Sequence, residues 1–389
     1  MKIGLVLSNP PAYSETFFNA KIKGLQERGF SVTLYVDRHD KKYKLSNVRS
    51  APYAGRNLVR LAFSVITTII AYTFYTSRLV KFWKLERDRG SKASLIVKKM
   101  YLFQHVLKAK ADWLHFGFGT MAVGKEYVAE AIDAKMAVSL RGFDINVYPL
   151  KHTNIYHLMW SQLDKVHSIS NDLLEKAYAL GLPKKCPIQI ITPAIKVCES
   201  IDTNMDFSKP VELLTIARLH YIKNIDILIE AAYQLRESGF DFVWNVIGNG
   251  DERDWERYLF HIHQRNLENH VFLLGKKSHK DTLIRLKQCD MYVQTSYTEG
   301  FCNALLEAQG YGKLCISFDT GALKENILEG ETGWVVKNYT AEDLKNKIIE
   351  IYNLPQHHKE RVLENARQRV KVHFNLEKQK EEFAHFYQN

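Results

Sequence analysis

Apolar positions fall along this chain in two rhythms. The run Ile3–Leu7 is short and continuous and is stopped by the turn Asn9-Pro10-Pro11, which predicts a strand buried on both faces. Ser14–Arg28 follows with helical spacing, with Ser14 placed to cap its start and Gly29 to end it. Ser31–Val36 then alternates as a second strand. Strand, turn, helix and strand within about 35 residues make a βαβ unit, the start of a parallel sheet.

The rhythm recurs. Trp113–Phe116, Met136–Leu140 and Lys165–Ile169 read as strands, and Asn171 is placed to cap the helix after the third. Pro183, Pro187 and Pro193 punctuate the end of this half. The pattern then restarts. Strands Glu212–Ile216, Phe242–Ile247, Val271–Leu274, Met291–Gln294 and Leu314–Ser317 alternate with helices at Ile225–Arg236, near Trp255–Gln264, near Thr282–Lys287 and from about Cys302. A mostly helical tail runs from Ala341. The prediction is an α/β protein of two halves, joined near Thr192–Asp206, with helices on both faces of each parallel sheet. Ligands of such sheets bind beyond the carboxyl ends of the strands, which in a two-domain protein is the cleft between the halves.

One segment breaks the pattern. Between Arg60 and Arg78 lie 17 residues without a charge, four of them Thr and two Ser. That length is at the low edge for a membrane span. Arg56, Arg60, Arg78, Lys81, Lys84, Arg87 and Arg89 crowd its flanks. Two readings stand: a helix lying in the lipid headgroup layer, or a core helix of the first domain beside a basic surface turn.

Composition narrows the classes. The 389 residues are ample for two domains, and 46% hydrophobic with 25% charged residues excludes wholesale disorder. A net charge of +11 favours anionic partners: phosphate groups, anionic lipid or nucleic acid. Nucleic acid is set aside, because no recognition motif is present and the basic segment is interleaved with aliphatic residues rather than a stacking platform. The five cysteines form no C-x-x-C pair, so neither a zinc site nor a disulfide framework is expected, and the N-terminal residues do not read as a signal peptide. The expected setting is the cytoplasm, with a peripheral place on the inner face of the membrane.

The chemistry concentrates in the second half. Arg218 follows strand Glu212–Ile216 and Lys223 comes five residues later; two cations at the carboxyl end of a parallel strand suit a diphosphate. Glu299 and Glu307 lie eight residues apart across the start of a helix, roughly 12 Å at 1.5 Å per residue. Two carboxylates so placed grip opposite ends of an extended ligand, and a helix N-terminus adds free N–H groups for a phosphate. The competing reading of each group is a solvated surface; their order and comparable places at strand ends favour a site.

The segments A-R-L-H-Y-I-K-N, G-N-G, T-E-G-F-C-N-A-L-L-E-A and G-E-T-G-W-V-V, in this order, resemble glycosyltransferase family 4, with S-E-T-F, H-F-G-F-G and R-G-F-D-I as thinner matches in the first half. The resemblance implies the GT-B architecture: two Rossmann-like domains with parallel sheets facing a central cleft. It implies an acceptor-binding domain over 1–195, a donor-binding domain over 196–369, and a C-terminal helix at 370–389 packing back on the first domain. It implies transfer of a hexosyl-type sugar from a UDP- or GDP-sugar to a saccharide acceptor, lipid-linked in surface-polysaccharide, lipopolysaccharide or capsule synthesis, with retention of anomeric configuration. Carried over by position, Arg218 and Lys223 bind the diphosphate, Glu299 the sugar hydroxyls and Glu307 the ribose. Leu274, Gly275 and Lys276 line the base, and Gly248 and Gly250 let the backbone pass close to the donor, or else serve only a strand-to-helix turn. Gly300, Phe301, Cys302 and Asn303 complete the donor contacts.

The first half supplies the acceptor side. Ser14, Glu15 and Thr16 stand on the acceptor side where many relatives carry a Gly-Gly pair; Ser14 and Thr16 donate to a phosphate or cap the helix. His115, at a strand end, orients the reacting groups or is pinned in a hydrogen bond. Arg141 replaces a His common in the family. An arginine stays protonated and cannot act as a base, but it binds anions; Asp144 is then the nearest carboxylate. No D-x-D triplet occurs, and the two cations do its electrostatic work, so no metal or other cofactor is expected. The alternatives are a catalytically silent, acceptor-binding partner subunit, and a nucleotide-sugar epimerase or glycan phosphorylase on the same fold.

Overall fold

The computed structural model describes residues 1–11, 16–38, 43–196 and 210–388. These divide into two compact units, Met1–Ile191 with Gln379–Asn389, and Thr192–Lys378.

Among the described residues, the first unit is built on a seven-stranded parallel sheet: β1 (Lys2–Leu7), β2 (Ser31–Val36), β3 (Asn47–Ser50), β4 (Trp113–Phe116), β5 (Lys135–Leu140), β6 (Lys165–Ser168) and β7 (Ile188–Ile190). The order is β3-β2-β1-β4-β5-β6-β7. β1 is central and buried from Ile3 to Leu7, which is why its sequence is continuously apolar rather than alternating. The first helix, Thr16–Glu27, is closed by Gly29 at φ +81, as its place after the last periodic residue predicts. The helix Asn171–Ala179 is capped one residue earlier than expected: Ser170 Oγ accepts from Leu173 N at 3.2 Å.

The second unit has a six-stranded parallel sheet: β8 (Val211–Ile216), β9 (Phe242–Ile247), β10 (Val271–Leu273), β11 (Met291–Gln294), β12 (Leu314–Phe318) and β13 (Trp334–Val336), in the order β10-β9-β8-β11-β12-β13. Leu213, Trp244, Val293 and Ile316 pack in its core against Leu228 and Ile348 of the covering helices.

The C-terminal stretch divides later than 370. Val370 is buried near Gly310, and Phe374 O accepts from Ile195 N at 2.9 Å, so this turn stays with the second unit. The switch to the first unit comes at Gln379, and Phe383, Phe386 and Tyr387 join that unit's core.

The segment after Arg56 forms two helices, Leu58–Tyr72 and Thr76–Asp88, bent by 104° at the break. No single helix among the described residues is long and apolar enough to cross a membrane. The core-helix reading fails: Thr68 is the one buried residue of Leu58–Tyr72.

Candidate functional site

Sheets of this kind open a crevice where the strand order reverses. In the second unit that point lies between β8 and β11, and the loops leaving these two strands carry Arg218, Lys223 and Glu299. After β8 the chain makes a short turn, Tyr221–Lys223, then passes through Asn224 in the left-handed region (φ 50, ψ 50) before the helix Ile225–Glu237 starts. The turn is tied to β11's loop by Tyr297 N to Ile222 O at 2.8 Å and Thr295 Oγ1 to Lys223 O at 2.8 Å.

These bonds set Lys223 against Glu299, and the two side chains form an ion pair with 16% and 11% exposure. Ser296 Oγ donates to the same carboxylate oxygen at 2.7 Å and Gln294 Nε2 at 3.3 Å; Gln294 is itself held by Tyr292 Oη at 2.6 Å. Three donors thus converge on Glu299 Oε1, and its Oε2 has no hydrogen bond among the described residues. Gly321, at φ +49, packs on this loop; a Cβ there would come within 2.8 Å of Glu299 O. Arg218 is exposed on the same β8 loop and makes no ion pair or side-chain hydrogen bond among the described residues.

The two loops beyond β9 and β10 join this group. Gly248 N donates to Gly275 O at 3.1 Å, and Leu219 N to Asn249 O at 3.0 Å. A Cβ on Gly248 would lie 1.7 Å from Ala217 O, and one on Gly250 2.3 Å from Leu219 O. The backbone that requires these glycines is therefore the Arg218 loop itself.

The helix after Glu299 runs Asn303–Gly310 with Cys302 as a cap that makes no side-chain bond. Asn326 Oδ1 accepts from Cys302 N at 3.1 Å and fixes the start. Cys302 and Phe301 turn inward: the thiol pKa is pushed up to about 12 by burial, and Phe301 packs against Phe374 with centroids 5.6 Å apart and rings tilted by 51°. Of the stretch 300–303, only the Asn303 side chain is exposed. Glu307 is partly buried, and its Oε1 lies 2.9 Å from His279 Nε2.

In the first unit the expectations fare unevenly. Ser14 and Glu15 lie outside the described residues, and Thr16 opens the first helix. Arg141 follows β5, its Nε donating to Gly117 O at 3.1 Å and its guanidinium lying over Phe17 at 3.9 Å and Phe18 at 4.8 Å. The cation is thus held at the start of the first helix, near the switch point between β1 and β4.

His115 and Asp144 must be corrected, because neither faces solvent. Asp144 is fully buried; its Oδ1 accepts from Thr120 N at 3.1 Å and Thr120 Oγ1 at 2.9 Å, and burial raises its carboxyl above the usual range. His115 is fully buried in a chain of hydrogen bonds: Tyr387 Oη at 2.7 Å on Nδ1, Ser139 Oγ at 2.8 Å on Nε2, then Ser139 Oγ to His167 Nδ1 at 2.8 Å and His167 Nε2 to Ile191 O at 2.9 Å. Burial keeps both rings neutral, and with the Ile191 carbonyl accepting from His167 Nε2–H the donors back along the chain are Ser139 Oγ–H to His167 Nδ1, His115 Nε2–H to Ser139 Oγ and Tyr387 Oη–H to His115 Nδ1. Lys21 Nζ, 3.4 Å from both ring nitrogens of His115, opposes protonation further. The strand-end position hid this, because the covering aromatic comes from the far end of the sequence.

A pH dependence follows. Burial holds His115 and His167 well below their ordinary pKa and His105 down to about 3. The unfolded chain takes up protons below about pH 6.5 that these folded rings do not, so stability present above that pH is lost as pH falls toward the depressed values. Between pH 7 and 5.5 each ring removes about 1.3 kcal/mol, roughly 4 kcal/mol for the three. Melting across this range must show the loss, and His167→Gln should shrink it; an unchanged melting temperature from pH 7 to 5.5 would refute the assignment.

Comparison with known proteins places these features. Residues 200–369 match the family model "Glycosyl transferases group 1". The chain is 26% identical over 273 residues to "Putative colanic acid biosynthesis glycosyltransferase WcaL" of Salmonella typhimurium, covering 67% of this chain and 66% of that one. It is 26% identical over 243 residues to "Amylovoran biosynthesis glycosyltransferase AmsK" of Erwinia amylovora, 59% and 58% of the two chains. The matched stretches thus span less than two thirds of these relatives. Among solved structures, sucrose-phosphate synthase from Thermosynechococcus elongatus superposes with TM-score 0.75 at 15% identity over 100% of this chain and 98% of that one. Anabaena HepE, solved with UDP, gives 0.71 at 15% over 100% and 99%. At such identity the structures establish the fold. Residues 200–369 thus match glycosyltransferase group 1, and the two parallel-sheet units have the GT-B fold.

Proposed function

We propose that this chain is a glycosyltransferase that moves a hexosyl-type sugar from a UDP- or GDP-sugar to a saccharide acceptor, lipid-linked, in the assembly of a cell-surface polysaccharide. The observation that carries this reading is the convergence at the β8–β11 switch point: Lys223 on Glu299, with Arg218, unpaired among the described residues, on the same loop. Arg218 and Lys223 meet the diphosphate, Glu299 the sugar hydroxyls through its open oxygen, and Glu307 the ribose. Negative charge grows on the departing phosphate oxygen, where fixed cations stabilise the transition state more than the ground state. With both charges supplied by side chains, turnover proceeds in the presence of a chelator.

With Asp144 buried, no exposed carboxylate of the first unit is assigned as a nucleophile. Retention then fits front-face displacement, in which the leaving phosphate oxygen takes the acceptor proton. The names of the colanic acid and amylovoran relatives support a polysaccharide acceptor, and the UDP complex of a structural neighbour supports a uridine donor.

Donor binding is the direct test. A panel of UDP- and GDP-sugars, followed by ligand-observed NMR, should show one donor binding, weakened about ten-fold or more by Arg218→Ala and by Glu307→Ala. No binding to folded protein, or binding to both variants equal to the parent's, would overturn the assignment.

A further inference from the structure

The helix Leu58–Tyr72 is inside out for a helix in water. Its inward side is polar: Thr68 Oγ1 donates to Ser64 O at 2.7 Å, Tyr101 Oη donates to Ser64 Oγ at 2.9 Å, and Tyr72 Oη donates to Met100 O. Its outward side is apolar. Val59, Phe63, Ile66 and Ile70 recur at helical spacing with Ile69 beside them, and these five are 55–81% exposed. Phe74, 83% exposed, extends the face into the bend before the next helix. From 51 to 85 the sequence has no Asp or Glu and carries Arg56, Arg60, Arg78, Lys81 and Lys84.

A cavity of about 850 Å³ opens at the C-terminal end of this helix. Its floor includes Tyr35 of β2 and Arg49 of β3, which are register partners and so present their side chains on one face. Phe74 and Tyr75 line it, as do His105, Lys108 and Lys110. Arg49, Lys108 and Lys110 make no ion pair among the described residues, and neither ring nitrogen of buried His105 makes a hydrogen bond of ordinary geometry. Burial, then the neighbouring Arg49, lowers the Lys108 amine below its ordinary pKa, as expected of cations gathered without a counter-charge. Such a cluster suits a phosphate.

We propose that this face seats on a bilayer containing anionic phospholipid: the outward side chains of Leu58–Tyr72 enter the headgroup–acyl boundary, and Arg49, Lys108 and Lys110 hold a lipid phosphate. Continuity selects a lipid over a free anion, since Phe74 belongs both to the apolar face and to the cavity wall. The absence of carboxylates along the segment selects an anionic surface over a neutral one. The inference rests on the reading of a lipid-linked acceptor, whose partner surface it names. Vesicle binding needs neither donor nor acceptor, so the two readings fail separately.

The test is sedimentation of the full chain with vesicles of phosphatidylcholine alone and with about one third phosphatidylglycerol, at low and high salt. Binding is expected to the anionic vesicles only and to weaken with salt. The double variant Arg49→Ala/Lys108→Ala should lower it about ten-fold, and Phe63→Ser/Ile66→Ser should abolish it. Both serine positions are exposed, and melting must confirm that the variant remains folded. Independently of any variant, amide exchange across 58–75 should slow when vesicles are added. Equal binding to both vesicle types, no change in exchange, or a solution dimer that Phe63→Ser/Ile66→Ser dissociates would overturn the proposal, the last by assigning the face to a second copy.

Discussion

Lys223→Ala should lower kcat by about 10²–10³-fold while the protein stays folded. Lys223 is the cation that two backbone-anchored loops bring to Glu299 at the switch point of the second sheet. A fixed ammonium there needs no reorganisation when phosphate charge develops, which is why its loss is felt in kcat more than in KM. The structural cost is limited, because Glu299 keeps Ser296 at 2.7 Å and Gln294 at 3.3 Å after the lysine is gone. Glu299→Gln keeps the shape but removes the charge, and should weaken both the lysine's placement and the grip on sugar hydroxyls. As the two residues act through one contact, the double variant should cost clearly less than the product of the singles. Steady-state kinetics with the donor found by binding decide it. A kcat within about three-fold of the parent for Lys223→Ala would remove the lysine from the reaction.

The elements of this site were legible because they obey local rules. β8, β9 and β11 are apolar runs of strand length, and Arg218, Lys223, Glu299 and Glu307 follow them at short, fixed distances. What could not be read was long-range. β3 and β7 are edge strands of four and three residues, with no fully buried position to mark them. His115 looked like a ligand-facing residue, because Tyr387, which closes over it, is 272 positions away. Asp144 was hidden for a similar reason: its partner Thr120 lies on another strand's loop. Gln294 and Ser296 were missed although the spacing Gln294-x-Ser296 before Glu299 marks alternate residues leaving β11. The helix Leu58–Tyr72 carried its composition openly, but which side faces out required knowing that Ser64 and Tyr72 bond to the segment at 100–101 and that Thr68 is buried.

Gly248→Ala should destabilise the second unit by about 3–4 kcal/mol, beyond the ordinary range for a small substitution. The added Cβ would sit 1.7 Å from Ala217 O and 2.7 Å from Ala217 C, both backbone atoms, so no side chain can rotate away. Either the β9 loop or the β8 loop must move, and the β8 loop carries Arg218. Gly330 separates this clash from simple backbone strain: it has φ +72, and a Cβ there meets nothing within 4 Å. Gly330→Ala should therefore cost only the left-handed penalty, about 1–2 kcal/mol, and leave donor affinity unchanged. Thermal unfolding compares the two, at roughly 2–4 °C of melting temperature per kcal/mol for a unit of this size, and donor titration follows. If both alanines melt alike, the tight approach of the two loops is not what holds Gly248. If Gly248→Ala melts early yet binds donor as the parent does, the Arg218 loop does not depend on the glycine turn, and the diphosphate site must be anchored by the Tyr297–Ile222 and Thr295–Lys223 bonds alone.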